Sequence, residues 1–323
     1  MAFVPRVTPA LVAGVAIGGS GLLHVARRYR LRTRPGTSAV TLAPASLAPA
    51  AVAELVLVAG RRWTGAAVGA AVLAGCAAVH VPPFRRTRAS SSRLLRSDLR
   101  LTVMTANLLH GRADVEVLAR TARRHEIDVL CVQEVHQDAL DAIADRVGGM
   151  LPHRHSRPGV RGGGSGIFSR YPLADLREPE CFGFPPVMAD VLVPTARGPR
   201  AISVLSFHSK APVGNGGTRY WSDDLNLVGR LMTEHPHALV VAGDFNATRE
   251  HRQFRDLLAG GYSDAADDAG AGLTFTFPAK RFRIPVACLD HVVLGRGLVG
   301  LDVRTANQPG SDHRAVIVTV AAG

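Results

Sequence analysis

The first hundred residues almost lack acidic side chains. They hold fourteen arginines against only Glu54 and Asp98, and so account for the whole formal net charge of +12. The other 223 residues carry 24 Lys and Arg against 24 Asp and Glu, so this larger part is formally neutral. A domain that binds duplex nucleic acid normally has its own basic excess, and this one has none. Basic charge that flanks apolar segments favours a membrane surface instead.

Several common site motifs are also missing. The four cysteines, at positions 76, 131, 181 and 288, show no CxxC spacing, so the pattern predicts buried structural thiols and neither a disulfide framework nor a zinc site. The glycine-rich stretch 161–166 lacks the terminal Gly-Lys-Ser/Thr of a P-loop, which argues against a nucleotide site there. Lysine occurs only twice, at Lys210 and Lys280. Because Ala, Gly and Val are also abundant, we interpret the preference for arginine over lysine as a result of genome composition.

Long apolar runs fill the first 82 residues. Residues 7–26 and 63–82 contain no Asp, Glu, Lys or Arg, and each is about 20 residues long, which is enough to span a bilayer. A third apolar run, 37–60, is interrupted by Pro44, Pro49 and Glu54. We therefore expect a transmembrane region over 1–82 with three helices, or two as the alternative. An Arg-rich juxtamembrane linker over 83–100 and a separate domain over 101–323 follow it.

The number of spans decides on which side of the membrane this domain lies. With three spans, the Arg-rich loop 27–34 and the Arg-rich exit 85–100 share one side, which the positive-inside rule makes cytoplasmic. With two spans, a cytoplasmic loop over 27–62 sends the domain outside. An integral plasma-membrane protein is expected in both cases.

Five polar clusters accompany apolar, strand-like runs in the second part of the chain. A helix-spaced segment at 114–125 lies between two of these runs, and the alternation predicts an α/β organisation. Leu273, Phe275 and Phe277 alternate with threonines, which predicts a further strand with one buried face. The polar clusters are Asn107, Gln133-Glu134, Asp244-Phe245-Asn246, Asp290-His291 and Asp312-His313.

The residue types in these clusters suit hydrolytic chemistry. An imidazole at His313, where a buried strand meets solvent, suits a general base. Asp290 lies inside the apolar run 286–294, where a carboxylate is costly without a partner, and His313 is the natural partner. Glu134, at the end of an apolar run, is either a paired buried acid or a ligand of a hard metal ion. Asn107 alone could simply cap a turn, and His208 alone could be a structural histidine.

Taken together and in this order, the clusters resemble the endonuclease/exonuclease/phosphatase superfamily, which includes DNase I. The most specific motifs are Gly243-Asp244-Phe245-Asn246 and Ser311-Asp312-His313, and the likeness extends over about residues 101–320. The resemblance implies a four-layer α/β sandwich of two packed mixed β-sheets flanked by helices, here preceded by a transmembrane helical region. It also implies hydrolysis of a phosphoester with Mg²⁺, for which Mn²⁺ is a possible substitute.

The resemblance assigns a role to each matching position. It implies that Asn107 and Glu134 hold the metal ion and that Asp312 completes its shell, which fits a hard cation that takes few protein oxygens. It also gives catalytic roles to five residues. His313 activates the attacking water, Asp290 orients and stabilises the imidazole, Asp244 and Asn246 position the reacting groups, and His208 donates to a phosphate oxygen.

The substrate is left open by the sequence. An apolar N-terminal third before such a domain resembles membrane-anchored actinobacterial phosphoesterases of the teicoplanin-resistance type, which implies a lipid-linked phosphate or pyrophosphate and an extracytoplasmic domain. The partners expected are therefore a lipid bilayer and a phosphorylated substrate. A nuclease acting on nucleic-acid phosphodiesters is the first alternative, and a non-catalytic membrane-binding protein is the second.

Overall fold

The computed structural model describes residues 8–85, 99–160, 162–280, 284–295 and 297–322. The chain forms two compact units. The first comprises the residues up to Pro82 together with Glu250–Arg252, and the second comprises the rest. Residues 86–98, which make up most of the expected linker, lie outside the described residues, as does Arg161 in the glycine-rich stretch.

Four helices are formed by the described residues of the first unit. The first begins after Thr8, whose hydroxyl accepts a hydrogen bond from the amide of Leu11 at 3.2 Å. The expected third apolar segment, 37–60, is not one continuous helix, because residues 42–46 form turns around Pro44, which has no amide hydrogen to donate. The helices are α1 (Pro9–Ala26), α2 (Arg34–Thr41), α3 (Leu47–Ala59) and α4 (Trp63–Ala78).

Helices α1, α3 and α4 pack through small side chains. Ala13, Ala50 and Ala53 are buried between them, whereas Val15 and Leu22 are 68% and 72% exposed. The buried cluster consists mainly of alanines together with Ile17 and Leu57, while many large apolar side chains are exposed. Small residues at helix contacts and apolar residues outside are typical of helices packed in a membrane. By length and composition, α1 is the one described helix able to cross a membrane, and α3 and α4 are shorter apolar helices.

The directions of these helices follow from their contacts. His24, near the end of α1, lies against His80, just after α4, with their Nε2 atoms 3.0 Å apart. Near its start, α1 lines the same cavity as the first turns of α4. Helix α1 therefore runs parallel to α4. Helix α3 runs antiparallel to both, because Leu57 near the end of α3 lies close to Gly65 near the start of α4.

Twelve described strands form two six-stranded sheets in the second unit. Sheet 1 has the order β11-β12-β1-β2-β4-β3, and sheet 2 has the order β5-β6-β7-β8-β10-β9. Each is mixed, since β1 and β2 are parallel and β7 and β8 are parallel while their other neighbours are antiparallel. The strands are β1 (Arg100–Asn107), β2 (Val129–Gln133), β3 (His153–Arg157), β4 (Ser165–Ser169), β5 (Leu173–Arg177), β6 (Val187–Val193), β7 (Arg200–His208), β8 (Leu239–Asp244), β9 (Ser263–Asp264), β10 (Asp290–Leu294), β11 (Leu298–Ala306) and β12 (Ala315–Ala322).

Helices cover the outer faces of both sheets. The inner faces share one aliphatic core, which includes Val103 and Val318 from sheet 1 and Val204 and Val240 from sheet 2. Helices α5 and α6 pack on the outside of sheet 1, and α7 and α8 pack on the outside of sheet 2. The predicted four-layer α/β sandwich is confirmed. Its helices are α5 (Val115–Arg124), α6 (Gln137–Val147), α7 (Gly217–Glu234), α8 (Arg252–Leu258) and α9 (Ala265–Ala269), and a short 3-10 turn spans Pro82–Phe84.

Two strand predictions need correction. The alternating segment 273–277 forms no ladder and makes only an isolated bridge between Phe277 and Ala287. The apolar run 286–294 enters sheet 2 only at Asp290, so this carboxylate begins the strand and does not lie within it. The expected buried face of segment 273–277 is also absent, because Leu273, Phe275 and Phe277 are half-buried whereas Thr276 is fully buried. Alternation of apolar and polar residues therefore does not show on its own that a segment pairs with a neighbouring strand.

Candidate active site

Three adjacent strands of sheet 2 each contribute one ionisable side chain. In the parallel pair of β7 and β8, His208 lies opposite Asp244, and in the antiparallel pair of β8 and β10, Asp244 lies opposite Asp290. Side chains in register on neighbouring strands share one face of the sheet. The three residues therefore form a row, and each is at most 3% exposed.

Sheet 1 adds Asn107 at the end of β1 and Glu134 just after β2. The Asn107 Nδ2 atom donates to Glu134 Oε1 at 2.9 Å and to Asp244 Oδ2 at 3.0 Å, so one amide links the two sheets. Glu134 adopts a φ of 57°, a left-handed conformation that costs a non-glycine residue about 1–3 kcal/mol. The backbone amide of His110 donates to Glu134 Oε2 at 3.1 Å and helps to hold this turn.

His313 reaches the same point from the segment before β12. The Ser311 hydroxyl donates to the carbonyl of Asn107 at 2.7 Å and accepts from the amide of His313 at 3.0 Å, which fixes this segment against the end of β1. The Nδ1 atom of His313 donates to Asp290 Oδ2 at 2.8 Å, and its Nε2 atom lies 3.7 Å from Asp244 Oδ2. We call the six side chains the site cluster: Asn107, Glu134, His208, Asp244, Asp290 and His313.

The titration of the site cluster is shifted by burial and by mutual charge. Burial disfavours a charged imidazole at His313, but the carboxylates of Asp290 and Asp244 outweigh it and raise the pKa of His313 to about 10. Burial also raises the pKa of Asp244 to about 7, although the charge of His313 opposes the shift. Without a metal ion, His313 therefore holds its proton at neutral pH, and Asp244 gains or loses one close to neutrality.

His208 is held as a neutral ring. Burial and the nearby positive charge of His313 lower the pKa of His208 to about 3. Its Nε2 atom lies 3.7 Å from Asp244 Oδ2 and 3.9 Å from Glu134 Oε1. The ring stacks on Phe184, with centroids 4.6 Å apart and planes inclined by 22°. A neutral imidazole in this position retains one N–H that can donate to a substrate oxygen.

Two of the predicted site residues lie at the margin of the site cluster. Asn246 follows Asp244 in a tight turn, where its amide nitrogen donates to Asp244 Oδ1 at 2.8 Å and its Nδ2 donates to the carbonyl of Ser209 at 3.0 Å. The carboxylate of Asp312 lies 3.6 Å from Lys280 Nζ. Among the described residues, Asp244, Asp290 and His313 form a group of possible metal ligands whose ligand atoms lie within 4.8 Å of one another. The metal-binding role of Asp312 stays a prediction.

Sequence reasoning missed Phe184 and His110, because neither belongs to a strand-end cluster. Phe184 follows Gly183 in an irregular segment, and no pattern there indicates a ring stacked on His208. Gln133 and His291 belong to predicted clusters but lie elsewhere. Gln133 donates to the Ser206 hydroxyl at 3.1 Å between the sheets, and His291 pairs with Asp264 at 2.7 Å.

Two face-to-face mixed sheets with carboxylates and histidines at the ends of their strands define the DNase I-like class of fold. The match to the model of the endonuclease/exonuclease/phosphatase family covers residues 104–313. The chain belongs to this family, whose members are hydrolases that act on phosphoester bonds.

Solved structures share the fold at low sequence identity. The endonuclease/exonuclease/phosphatase from Bacteroides vulgatus is 16% identical with a TM-score of 0.56, and the match covers 70% of this chain and 100% of that one. D. rerio TDP2 complexed with single-strand DNA product is 14% identical with a TM-score of 0.55, over 69% and 99%. A mannosyl-6-phosphatase of Bacteroides thetaiotaomicron is 16% identical with a TM-score of 0.52, over 68% and 99%. No curated protein matches the chain in sequence.

Proposed function

We propose that this protein is a membrane-anchored, Mg²⁺-dependent phosphoesterase that hydrolyses a lipid-linked phosphate or pyrophosphate. The observation that carries the proposal is the row of His208, Asp244 and Asp290 on sheet 2, with His313 hydrogen-bonded to Asp290. This row supplies a proton acceptor, a residue that orients it and a donor to phosphate. Phosphoryl transfer depends mostly on such positioning and on charge neutralisation.

The donor set fits a divalent cation. Glu134 and Asp244 both lie within hydrogen-bonding distance of one amide nitrogen of Asn107, so two carboxylates meet in a mostly buried space. In addition, Asp290 Oδ1 is buried and has no hydrogen-bond partner in the described part of the chain. Oxygen ligands and excess negative charge suit Mg²⁺, with Mn²⁺ as a substitute. Asn107 and Glu134 would hold the ion, which supplies charge neutralisation at the phosphate when bound.

The other side chains divide the remaining tasks. The pair formed by Asp244 and His313 takes up the proton that the attacking water loses, and Asp290 on Nδ1 fixes the imidazole and stabilises its positive charge. The N–H of His208 donates to a phosphate oxygen. Asn246 holds Asp244 through its backbone amide, so it acts as a positioning residue.

The first unit supports membrane anchoring. Large apolar side chains on α1, α3 and α4 are exposed in the absence of lipid, whereas the contacts between these helices bury mainly alanines, with Ile17 and Leu57. An exposed apolar surface of this kind is typical of a protein that contacts lipid or another apolar partner. A tether of this kind concentrates the enzyme where lipid-linked substrates are found. The parallel course of α1 and α4, with α3 returning between them, supports three crossings.

Charge and anchoring together favour a lipid substrate over nucleic acid. The formally neutral second part offers no general basic excess for a duplex. TDP2, which shares the fold, is complexed with single-strand DNA in its structure, so a nuclease remains the alternative. Strong loss of affinity with rising salt at constant Mg²⁺ would favour that alternative.

The deciding experiment measures phosphate release from a polyprenyl pyrophosphate by the detergent-solubilised full-length protein with Mg²⁺. Release that is abolished by chelation and by His313→Ala, but not by the exposed-surface control His237→Ala, supports the proposal. If a folded wild type that binds Mg²⁺ releases no phosphate, this substrate class is wrong, and the same preparation is then assayed on single-stranded DNA.

A further inference from the structure

A cavity in the second unit adjoins the site cluster. Its volume is about 410 Å³, and it lies between the loop after β3 and the segment before β6. Phe184 belongs both to this cavity and to the site, because its ring stacks on His208. Gly163 also lines it, and the neighbouring Gly162 lies against the side chains of His110 and Glu134. The cavity is therefore directly adjacent to the proposed phosphate site, with Phe184 as the shared side chain.

The cavity combines positive charge with apolar surface. Lys210 Nζ lies 3.4 Å from the centroid of the Phe184 ring, and Arg157, which also lines the cavity, donates to Glu178 Oε2 at 2.9 Å. Val160, 85% exposed, and Pro185 supply apolar walls. An ammonium group close to the donor His208 suits a second anionic group of the same substrate.

The position of Lys210 is built into the fold. The buried carboxylate of Asp224 on α7 accepts from the backbone amide of Lys210 with one oxygen and from that of Gly183 with the other, both at 2.8 Å. Asp224 is 3% exposed, so a buried carboxylate holds together the two segments that carry Phe184 and Lys210. A lysine that only extends into solvent does not need its backbone fixed by a buried carboxylate. Asp224 is accordingly a positioning residue for the cavity.

We propose that this cavity is a subsite for a second phosphate, and that Lys210 makes the enzyme prefer diphosphate esters to monophosphate esters. The inference rests on the proposed function and narrows its substrate class. The terminal phosphate would lie at the site cluster, the phosphate attached to the alcohol would lie against Lys210, and the chain of the alcohol would pass along Val160 and Pro185.

The reaction on such a substrate balances without a further reactant. The oxygen of water forms a bond to the terminal phosphorus, and the bridging bond between that phosphorus and the oxygen of the inner phosphate breaks. The inner phosphate leaves with the electron pair as a monophosphate ester. One water proton passes to the acid-base pair of Asp244 and His313, and the other remains on the orthophosphate. Lys210 stabilises the charge that the leaving phosphate gains.

The test compares farnesyl diphosphate with farnesyl monophosphate, which share one hydrocarbon chain and differ by one phosphate. The value of kcat/KM is measured for both in the same detergent with the full-length protein and Mg²⁺. Lys210→Met is expected to lower the ratio of the diphosphate value to the monophosphate value at least tenfold, since a charge-assisted hydrogen bond contributes about that factor or more. Lys210→Arg is expected to keep the ratio within about threefold because it retains the charge.

Arg304→Met serves as the matched control, because Arg304 is an exposed cation on β11 that pairs with Asp302. Its ratio should equal that of the wild type. A wild type that hydrolyses both substrates, with a ratio unchanged in Lys210→Met, overturns the subsite while leaving the proposed function intact.

If the wild type hydrolyses neither substrate, the proposed function fails and binding decides about the subsite alone. Titration calorimetry then compares methylenediphosphonate with methylphosphonate in the presence of Mg²⁺. Tighter binding of the diphosphonate that disappears in Lys210→Met supports a second anion subsite. Equal binding of the diphosphonate by wild type and variant overturns it.

Discussion

At the scale of single residues, His313 depends on two carboxylates that come from different strands. Asp290 holds its Nδ1 atom, and Asp244 faces its Nε2 atom. The composition of the clusters at Asp290 and Asp312-His313 predicts that a carboxylate and an imidazole should pair. Nothing in the sequence predicts that Asp244 lies on the other side of the ring, because that contact arises only where β8 lies beside β10.

Substitution of His313 tests its catalytic role. His313→Ala is expected to lower kcat by about 100-fold to 10,000-fold, the usual contribution of a positioned acid or base. Asp290→Asn should cause a smaller loss of the same kind, because the imidazole keeps its place but loses the charge that stabilises it. Steady-state kinetics on any substrate that the wild type hydrolyses gives both values. A kcat for His313→Ala within threefold of the wild type would contradict the role.

The buried pair of His291 and Asp264 should stabilise the fold in a limited pH range. Burial disfavours the charged form of His291, but the carboxylate of Asp264 outweighs burial and raises the pKa of His291. Burial likewise disfavours the charged form of Asp264, but the charge of His291 outweighs it and lowers the pKa of Asp264. The contribution of His291 is fully present below its unfolded pKa of about 6.5 and is lost as pH rises through the raised value. The contribution of Asp264 is present above its unfolded pKa of about 3.9 and is lost as pH falls through the lowered value.

Asp264→Asn should therefore lower the free energy of unfolding by about 3 kcal/mol near pH 6, since it leaves a buried partner uncompensated. The difference from the wild type should shrink in alkaline solution, where His291 becomes neutral. Denaturant unfolding at several pH values measures it, and the exposed Asp302→Asn provides the control. A difference that stays constant from pH 6 to pH 10 would show that the ion pair is not its source.

At the scale of elements, the close contact of β7 and β8 sets the spacing of the site. A Cβ atom on Gly243 would overlap the carbonyl oxygen of Phe207, so only glycine lets the two strands meet at this point. The next residue on each strand is a member of the site cluster, Asp244 on β8 and His208 on β7.

Gly243→Ala should accordingly separate the two strands and lower both stability and activity. We expect a loss of about 1–3 kcal/mol in the free energy of unfolding, as for overpacking in a core, and a fall in kcat larger than the remaining folded fraction explains. Gly149→Ala is the control, because a Cβ atom there meets no other atom within 4 Å. An active, fully stable Gly243→Ala would show that the strands can move apart without cost.

The elements with clear periodicity are those that the sequence predicts well. The runs at 129–132, 239–244 and 315–320 are strands, and the helical spacing at 114–125 appears as α5. The failures occur where apolar and polar residues alternate without forming a ladder, as at 273–277, and where proline breaks an apolar run, as at 42–46. Local alternation does not show whether a neighbouring strand supplies hydrogen bonds.

At the scale of the whole molecule, membrane topology is the open prediction. Three crossings would place the Arg-rich segment 27–34 and the exit from α4 on one side, which the positive-inside rule would make cytoplasmic. The resemblance to teicoplanin-resistance-type enzymes implies the opposite side. Cys181 can distinguish the two, because it is the exposed cysteine of the second unit, while Cys131 is buried and Cys288 is half-buried.

We expect a membrane-impermeant maleimide to label Cys181 only after the cells are permeabilised. The measurement is the mass or gel shift of the full-length protein, and Cys181→Ser identifies the labelled site. Labelling in intact cells would place the catalytic domain outside and would assign its substrate to the outer leaflet.

The position of β12 has a consequence for folding kinetics. This strand lies between β11 and β1, so β1 has one unpaired edge until residues 315–322 have been synthesised. Pairings between such distant segments make folding slow, because a long loop must close before the contact is formed. During translation the edge of β1 therefore stays unpaired until β12, which follows all the other described strands, has been synthesised. In this interval the nascent chain is most exposed to aggregation or to a chaperone.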